Sequence, residues 1–166
     1  STTASLAMGD ALAIALLEAR GFTENDFARS HPGGSLGRRL LLRVSDIMHS
    51  GPAIPIVPLQ ASLKQALLEM SNKGLGMTAI ADGNRLAGVF TDGDLRRTLD
   101  AETDINRAHI KDHMTTDAVT IEPDLIASAA LSLMDERKIN GLIVTTPNGE
   151  IQGALNMHDL LKAGIV

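Results

Sequence analysis

The chain has 166 residues, of which 44% are hydrophobic and 2% aromatic, and it carries a formal net charge of −5. This length suits one domain or two small ones with an aliphatic core, and the acidic balance without a basic block excludes nucleic acid as the main partner. The absence of cysteine excludes disulfides and thiolate catalysis and fits a reducing cytosol, so we expect a cytoplasmic protein. No uninterrupted apolar run approaches the roughly 20 residues of a membrane span, so no membrane partner is expected.

The first 20 residues carry apolar side chains at near-helical intervals and predict a helix that stops at Gly21. Nearly every position from 11 to 17 is apolar, so this helix is expected to be buried on most sides. We expect it to pack against protein outside this sequence, which, with the lack of an initial Met, indicates a piece of a longer protein. A second short helix is predicted to open at Thr23 to Asp26, and residues 36–44 are predicted to connect it to the rest of the chain.

From Ser45 onward the sequence repeats itself. Asp46-Ile47-Met48 matches Asp112-His113-Met114, and each copy leads into a short apolar run, a helical pattern, two further strands joined by a turn, and a last helix. Each repeat therefore predicts the order β-α-β-β-α. In the first repeat the predicted elements are a strand at 54–57, a helix at 62–72, and strands at 77–81 and 85–90. In the second repeat they are a strand at 118–121, a helix at 125–138, and strands at 142–145 and 150–155.

A unit of about 55 residues is marginal alone because much of its apolar surface stays in water. The two repeats are therefore predicted to pair sheet to sheet in a pseudo-twofold arrangement, with equivalent stretches lining opposite sides of one cleft. The predicted division of the chain is 1–44, 45–106 and 107–166, and the fold class is mixed α/β.

The last strand of each repeat runs into its helix through a glycine, two apolar residues, a small polar residue and an aspartate three positions later. The polar residue and the aspartate are Thr91 and Asp94 in the first copy and Asn156 and Asp159 in the second. Both residues of a pair share the first helical turn, near free backbone N–H groups. Such a pair can simply cap the helix; its recurrence at the same place in a repeat favours a binding role.

The two Asp-x-Met openings, the β-α-β-β-α order and these two signatures together resemble a tandem pair of cystathionine-β-synthase (CBS) domains over about residues 45–166. In that family the polar residue and the aspartate bind the ribose of an adenine nucleotide or related ligand in the cleft between the repeats. The resemblance implies this role for Thr91 and Asp94, and for Asn156 and Asp159. Asn156 departs from the usual Thr or Ser of the signature.

The first 45 residues resemble a second family. Ser1-Thr2-Thr3-Ala4-Ser5, Met8-Gly9-Asp10-Ala11 and the Ser-His-Pro-Gly-Gly segment at 30–34 are similar to the end of the sugar-isomerase domain of arabinose-5-phosphate isomerases, which supply the acid sugar Kdo. The resemblance implies that His31 is a catalytic acid–base residue of the longer enzyme, whose other active-site residues lie upstream. Read without the resemblance, His31 is a turn histidine. In either case we expect this chain alone to be inactive as an isomerase.

Further residues are candidates for the cleft, each with a structural alternative. Arg96 and Arg97 follow the first signature, where a guanidinium can hold phosphate or merely form a solvated helix end. Met77 can contact a base or belong to the core, and Lys73 precedes it. Gln60, Thr115 and His158 complete the set of predicted cleft residues, with His49 as the equivalent of Thr115. The histidines lack metal-ligand spacing, so no metal is predicted.

The resulting hypothesis is a regulatory module that binds an adenine nucleotide or, given the pathway, CMP-Kdo, and reports it to the upstream isomerase domain. The competing hypothesis is a scaffold that holds isomerase subunits together as a homo-oligomer without binding a ligand. An autonomous enzyme is disfavoured, because His31 is the only catalytic candidate.

Overall fold

A computed structural model of the chain describes residues 1–23, 26 and 40–165. After an N-terminal helix and a short helix α2, the chain forms two copies of a five-element unit, called here the first and second halves. Their order confirms the predicted β-α-β-β-α pattern and the mixed α/β class. Among the described residues that precede the two halves, helix α1 spans Thr2–Ala19 and helix α2 spans Val44–Ile47. The first half contains β1 (Ile56–Pro58), α3 (Leu63–Lys73), β2 (Met77–Asp82), β3 (Arg85–Thr91) and α4 (Asp92–Asp100). The second contains β4 (Thr120–Ile121), α5 (Ala127–Arg137), β5 (Gly141–Thr145), β6 (Ile151–Asn156) and α6 (Met157–Lys162).

Each half has a three-stranded sheet of the same topology. The first strand lies parallel to the second, because the intervening helix returns the chain to the same end of the sheet. The second and third strands form an antiparallel hairpin, in register at Met77 opposite Thr91 in the first half and at Gly141 opposite Asn156 in the second. The start of each second strand therefore lies beside the end of each third strand, which is where the two signatures are found.

Some element boundaries differ from the predicted ones. The first strands begin two residues later than expected, because parallel pairing starts at Ile56 opposite Ala79 and at Thr120 opposite Ile143. Helix α5 begins at Ala127 rather than Leu125, because the preceding backbone binds the linker: the Val44 N–H donates to the carbonyl of Leu125 at 2.8 Å.

The segments that precede the two halves are exchanged between them. We call residues 42–49 and 108–115 the opening segments; each ends in the residue after its Asp-x-Met motif. His49 pairs with Ala154 of the second half through two backbone hydrogen bonds, of 2.8 and 3.0 Å, and Thr115 pairs with Val89 of the first half through bonds of 2.8 and 2.9 Å. Each half is therefore completed by the opening segment that belongs, in sequence, to the other repeat.

The apolar side chains follow the same exchange. The second half's core contains Val44 from the first opening segment, and the first half's core contains Ile110 from the second; both are fully buried. A third buried cluster joins the two sheets to each other and confirms the predicted sheet-to-sheet pairing. Its members are Ile54, Leu75, Met77, Ala79, Ile143 and Ala154.

Helix α1 has no buried residue within the described part of the chain, although it was predicted to be buried on most sides. Its side chains lie in the open, with Met8 74% and Leu6 65% exposed. Its 18 residues have a mean hydropathy of 1.3, so by length and composition alone it could cross a membrane, whereas the sequence predicted no such segment. Core helices of soluble proteins and signal sequences pass the same test. Packing against protein outside this sequence stays a prediction.

Candidate functional site

A cleft of about 520 Å³ lies between the two halves, and both halves line it. On one side are the start of β2 and the junction of β3 with α4; on the other are the start of β5 and the junction of β6 with α6. The chain from Thr115 to Val119 also lines the cleft and passes from the first half, where Thr115 pairs with Val89, to the core of the second. The polar residues that line it are Thr91, Asp92, Asp94, Thr115, Asp117, Asn140, Asn156 and His158. The predicted pseudo-twofold cleft is therefore present, at the predicted ends of the third strands.

Thr91 and Asp94 form a complete capping box at the start of α4. The Thr91 hydroxyl and the Thr91 backbone N–H donate to Asp94 Oδ2 at 2.6 and 2.8 Å, and the Asp94 N–H donates to Thr91 Oγ1 at 3.4 Å. Reciprocal bonds of this kind satisfy backbone donors that the first helical turn leaves free. The capping interpretation is thus satisfied, and it also fixes Asp94 at the wall of the cleft.

The other carboxylate oxygen of Asp94 faces two further donors. Thr115 Oγ1, in the second opening segment, donates to Oδ1 at 3.0 Å, and Arg97 Nη2 donates to the same oxygen from the next turn of α4. Asp94 is only 5% exposed. Burial alone would raise the pKa of its carboxyl, but the hydrogen bonds from Thr91, Thr115 and Arg97 outweigh burial and hold the pKa below its usual range. Asp94 is therefore charged at neutral pH.

The second signature repeats the cap with different chemistry. The Asn156 N–H donates to Asp159 Oδ2 at 2.9 Å, and the Asp159 N–H donates to the side-chain oxygen of Asn156 at 3.1 Å. His49 Nε2 lies 3.0 Å from Asp159 Oδ1 and donates to it, since a carboxylate only accepts. His49 thus stands toward Asp159 as Thr115 stands toward Asp94. Asn156 lines the cleft, whereas Asp159 and His49 are not among its lining residues.

The structure brings six of the predicted residues to the cleft: Thr91, Asp94, Met77, Thr115, Asn156 and His158. Met77 is also a member of the buried cluster between the sheets, so this side chain both belongs to the core and lines the cleft.

The remaining predicted residues lie elsewhere. Gln60 follows β1 at the far end of the sheet, because β1 runs parallel to β2 and ends opposite Ala81. Lys73 Nζ donates to the carbonyl of Pro52, and Arg96 and Arg97 lie on the exposed side of α4. His31 and the segment from 27 to 39 lie outside the described residues.

Sequence reasoning gave no role to Asp92, Asp117 or Asn140, which also line the cleft. It also missed the His49–Asp159 contact, which joins residues 110 positions apart. One signal in the sequence could have found that contact: His49 and Thr115 each directly follow an Asp-x-Met motif.

Within the described residues, no group of three or more His, Asp or Glu side chains is arranged to hold a metal ion. The cleft's own chemistry is that of hydrogen-bond acceptors and small apolar surfaces, which suits hydroxyl groups and a flat heterocycle.

Two β-α-β-β-α units facing each other across a ligand-sized cleft define a tandem-repeat module. The model of the CBS domain family matches residues 44–101 and 110–165, more than half of the chain. The chain belongs to the CBS domain family.

Curated relatives extend the likeness to the whole chain. Arabinose 5-phosphate isomerases KdsD from Yersinia pestis, Pseudomonas aeruginosa and Escherichia coli K12 are each 55% identical to it over 167 aligned positions. All of this chain is covered but only 51% of each relative, so the chain spans about half the length of the curated relatives it matches.

Solved structures share the fold. CBSX2 in complex with AMP has a TM-score of 0.63 and 23% identity, covering 75% of this chain and 96% of that one. A CBS domain protein from Pyrobaculum aerophilum complexed with AMP has a TM-score of 0.64 and 19% identity, covering 72% and 90%. A CBS domain pair in complex with 5′-methylthioadenosine and S-adenosyl-L-methionine has a TM-score of 0.63 and 22% identity, covering 72% and 93%.

Proposed function

We propose that this chain is the regulatory, ligand-binding CBS pair of an arabinose-5-phosphate isomerase of the cytoplasm. It binds a nucleotide or nucleotide sugar between its halves and reports that ligand to the isomerase part of the longer protein. His31 serves that isomerase part, and the chain alone does not turn over sugar phosphate. The observation that carries the proposal is the cleft itself, with the charged Asp94 held at its wall in a chain 55% identical to such isomerases.

The hydrogen bonds of Asp94 define how a ribose would bind. An ionised carboxylate offers about four acceptor positions, and Thr91, Thr115 and Arg97 already fill that number. A ribose hydroxyl must therefore replace one donor. Arg97 is the donor that leaves most easily, because its side chain is 70% exposed and can be solvated when it swings away.

The displaced guanidinium then becomes available to the ligand. An arginine released next to a bound ribose can hold the neighbouring phosphate through two parallel hydrogen bonds. AMP, ATP and CMP-Kdo all present a ribose beside a phosphate. The cleft volume of about 520 Å³ lies within the usual range for small-molecule pockets. An adenine nucleotide is supported by two solved structures of the same fold that are complexes with AMP. CMP-Kdo is supported by the isomerase relatives, whose family supplies Kdo.

Calorimetric titration of the chain with AMP, ATP, CMP and CMP-Kdo tests the proposal. We expect saturable binding of at least one of the four, and Asp94→Asn to weaken it by more than about tenfold, since a hydrogen bond to a charged group is lost. Asp100→Asn is the matched control, because Asp100 is an exposed carboxylate at the other end of the same helix. Failure of all four to bind the folded chain would refute the ligand-binding role.

Regulation requires the ligand to bind two states of the longer protein with different affinity. Isomerase activity of that protein is therefore expected to change when the same ligand is added. The change should disappear in Asp94→Asn and persist in Asp100→Asn. An activity that is the same with and without ligand would leave binding intact and refute regulation.

Exposed apolar surface favours a second candidate, a scaffold that joins isomerase subunits. The exposed large side chains outside α1 include Leu68, Leu99, Leu125 and Leu161, and α1 adds a whole helix. Sedimentation of the chain with and without residues 1–22 tests this role. If α1 drives association, the truncated chain should form a smaller oligomer than the full chain. If other surfaces drive association, both should contain the same number of chains. A monomer in both cases would refute the scaffold.

A further inference from the structure

The two halves contain the same constellation of residues, yet they are not equivalent. In each, the aspartate uses Oδ2 to cap its helix and turns Oδ1 toward the opening segment of the other repeat, where the partner atom is 3.0 Å away. The partner is a threonine hydroxyl at Asp94 and a histidine ring at Asp159. The asymmetry lies in these partners and in the loops behind them.

Thr115 leaves room for a ligand and can contribute to holding it. Its hydroxyl donates to Asp94 and still has lone pairs with which to accept from a ligand hydroxyl. Thr115 lines the cleft together with Asp94, so the pair forms part of one continuous surface open to the ligand.

His49 does the opposite. Its imidazole places a five-membered ring against Asp159, whose side chain is 11% exposed while the ring itself is 36% exposed. The ring donates to Asp159 Oδ1 as the Thr115 hydroxyl donates to Asp94 Oδ1, but it fills that place with a five-membered ring rather than with one small hydroxyl. Neither residue lines the cleft.

The loop behind His49 is also drawn in. The short turn Gly51–Ala53 is tied to the end of α3, because Lys73 Nζ donates to the carbonyl of Pro52. Arg137 occupies the matching position at the end of α5, but its Nε lies 3.8 Å from a carboxylate oxygen of Glu136 in its own helix, and its side chain is 57% exposed. Arg137 therefore does not tie down the loop near Asp117 as Lys73 ties down its own.

We infer that His49 is a built-in occupant of the ribose position at Asp159, so that the chain binds one ligand, in the half of the cleft that contains Asp94. This inference rests on the proposed ligand-binding function and specifies its stoichiometry and its site. The two repeats are thus divided: one half holds the ligand and the other is closed by a side chain of the protein.

Titration of the full chain with AMP, and with CMP-Kdo if AMP does not bind, tests the assignment. We expect one equivalent per chain, a loss of more than about tenfold in affinity for Asp94→Asn, and a change of less than about threefold for Asp159→Asn. His49→Thr, which copies the Thr115 arrangement, is expected to add a second equivalent. Two equivalents in the wild type, equal losses in the two Asp variants, or one equivalent in His49→Thr would each overturn the inference.

A second measurement tests the contact between His49 and Asp159 without a ligand. The ring nitrogen and hydrogen resonances of His49 are expected to shift in Asp159→Asn and to stay in place in Asp94→Asn. If the His49 resonances are unchanged in Asp159→Asn, the ring is not hydrogen-bonded to Asp159, and the inference fails whatever the titrations give. If neither ligand binds while His49 responds to Asp159→Asn, the proposed function fails and the assignment of one ligand per chain falls with it.

Discussion

At the scale of single residues, Asp94 is the most constrained polar group of the cleft. It caps α4, accepts a hydrogen bond from the second opening segment, and pairs with Arg97, all while 5% exposed. A carboxylate in such a place stabilises the fold only while it is ionised, because a protonated carboxyl accepts fewer hydrogen bonds. If the proposed ligand binds here, stability and ligand affinity are expected to be linked at one side chain.

Replacing Asp94 with Asn is expected to lower the free energy of unfolding at pH 7 by about 1–3 kcal/mol, since charged hydrogen bonds are lost. The folded-state pKa of Asp94 lies below the unfolded value of about 3.9, so its stabilisation is fully present above that pH and disappears as the pH falls through the folded pKa. Urea denaturation between pH 7 and 3 should show the gap between the two proteins closing only below about pH 4. A gap that is constant down to pH 3 would contradict this. Asp100→Asn should stay within about 0.5 kcal/mol of the wild type.

Arg97 is expected to act on the ligand's phosphate and little on the fold. Arg97→Ala removes a 70% exposed partner, so the free energy of unfolding should fall by less than about 1 kcal/mol. Its effect on binding should differ by ligand: AMP should bind several-fold more weakly, and adenosine equally well or better, since the ribose no longer has to displace the guanidinium. Arg96→Ala, one residue away on the same exposed surface, is the control. Equal losses for AMP and adenosine would refute the phosphate role.

At the scale of elements, the opening segments depend on two glycines in the third strands. A Cβ at Gly88 would lie 2.7 Å from the carbonyl oxygen of Thr115, and one at Gly153 would lie 2.8 Å from that of His49. Backbone atoms cannot rotate away as a side chain can. Only glycine therefore lets each opening segment lie flat against the strand it joins.

Gly88→Ala is expected to push Thr115 away from Asp94 and to destabilise the chain by about 1–3 kcal/mol. Gly93→Ala is a good control, because the nearest atoms to its Cβ would be 3.6 Å away and its position is helical. Thermal denaturation should separate the two, with Gly93→Ala neutral or stabilising. A Gly88→Ala protein as stable as the wild type would show that the segment is not held closely.

The elements themselves were predictable, because their information is local. The strand and helix patterns, the hairpin turns and the two capping pairs each occupy a few consecutive residues, so periodicity and turn chemistry were sufficient to place them. The contacts of Thr115 with Asp94 and of His49 with Asp159 were not assigned, because they join residues 21 and 110 positions apart across an exchange of segments. Gln60 was expected in the cleft, but the sequence did not show which end of the sheet faces the other half.

At the scale of the whole molecule, the exchanged segments and the shared cluster between the sheets make the two halves one cooperative unit. Neither half keeps its core intact if the other unfolds, because Val44 and Ile110 are each buried in the half to which they do not belong in sequence. Two-state behaviour is therefore expected for residues 40–165 as a unit.

Ile143→Ala tests this cooperativity. Ile143 is 1% exposed in the cluster between the sheets, so the substitution is expected to cost about 2–5 kcal/mol. Amide resonances of Phe90 and Leu155, followed through a urea titration, should report one shared midpoint in the wild type and one shared, lower midpoint in the variant. Separate midpoints for the two halves would contradict the single unit. Leu68→Ala, at a position that is 55% exposed, should move the midpoint little.

The exchange of opening segments between the halves has a consequence for how such a chain can evolve. A gene fragment that encoded one repeat together with the opening segment before it would not encode a complete half. That opening segment packs against the third strand of the other repeat and not against the third strand of its own. Recombination can therefore transfer a repeat to another protein only together with its partner, as a tandem pair. Within such a pair the two copies are free to differ, as they do here with Thr115 after one Asp-x-Met motif and His49 after the other.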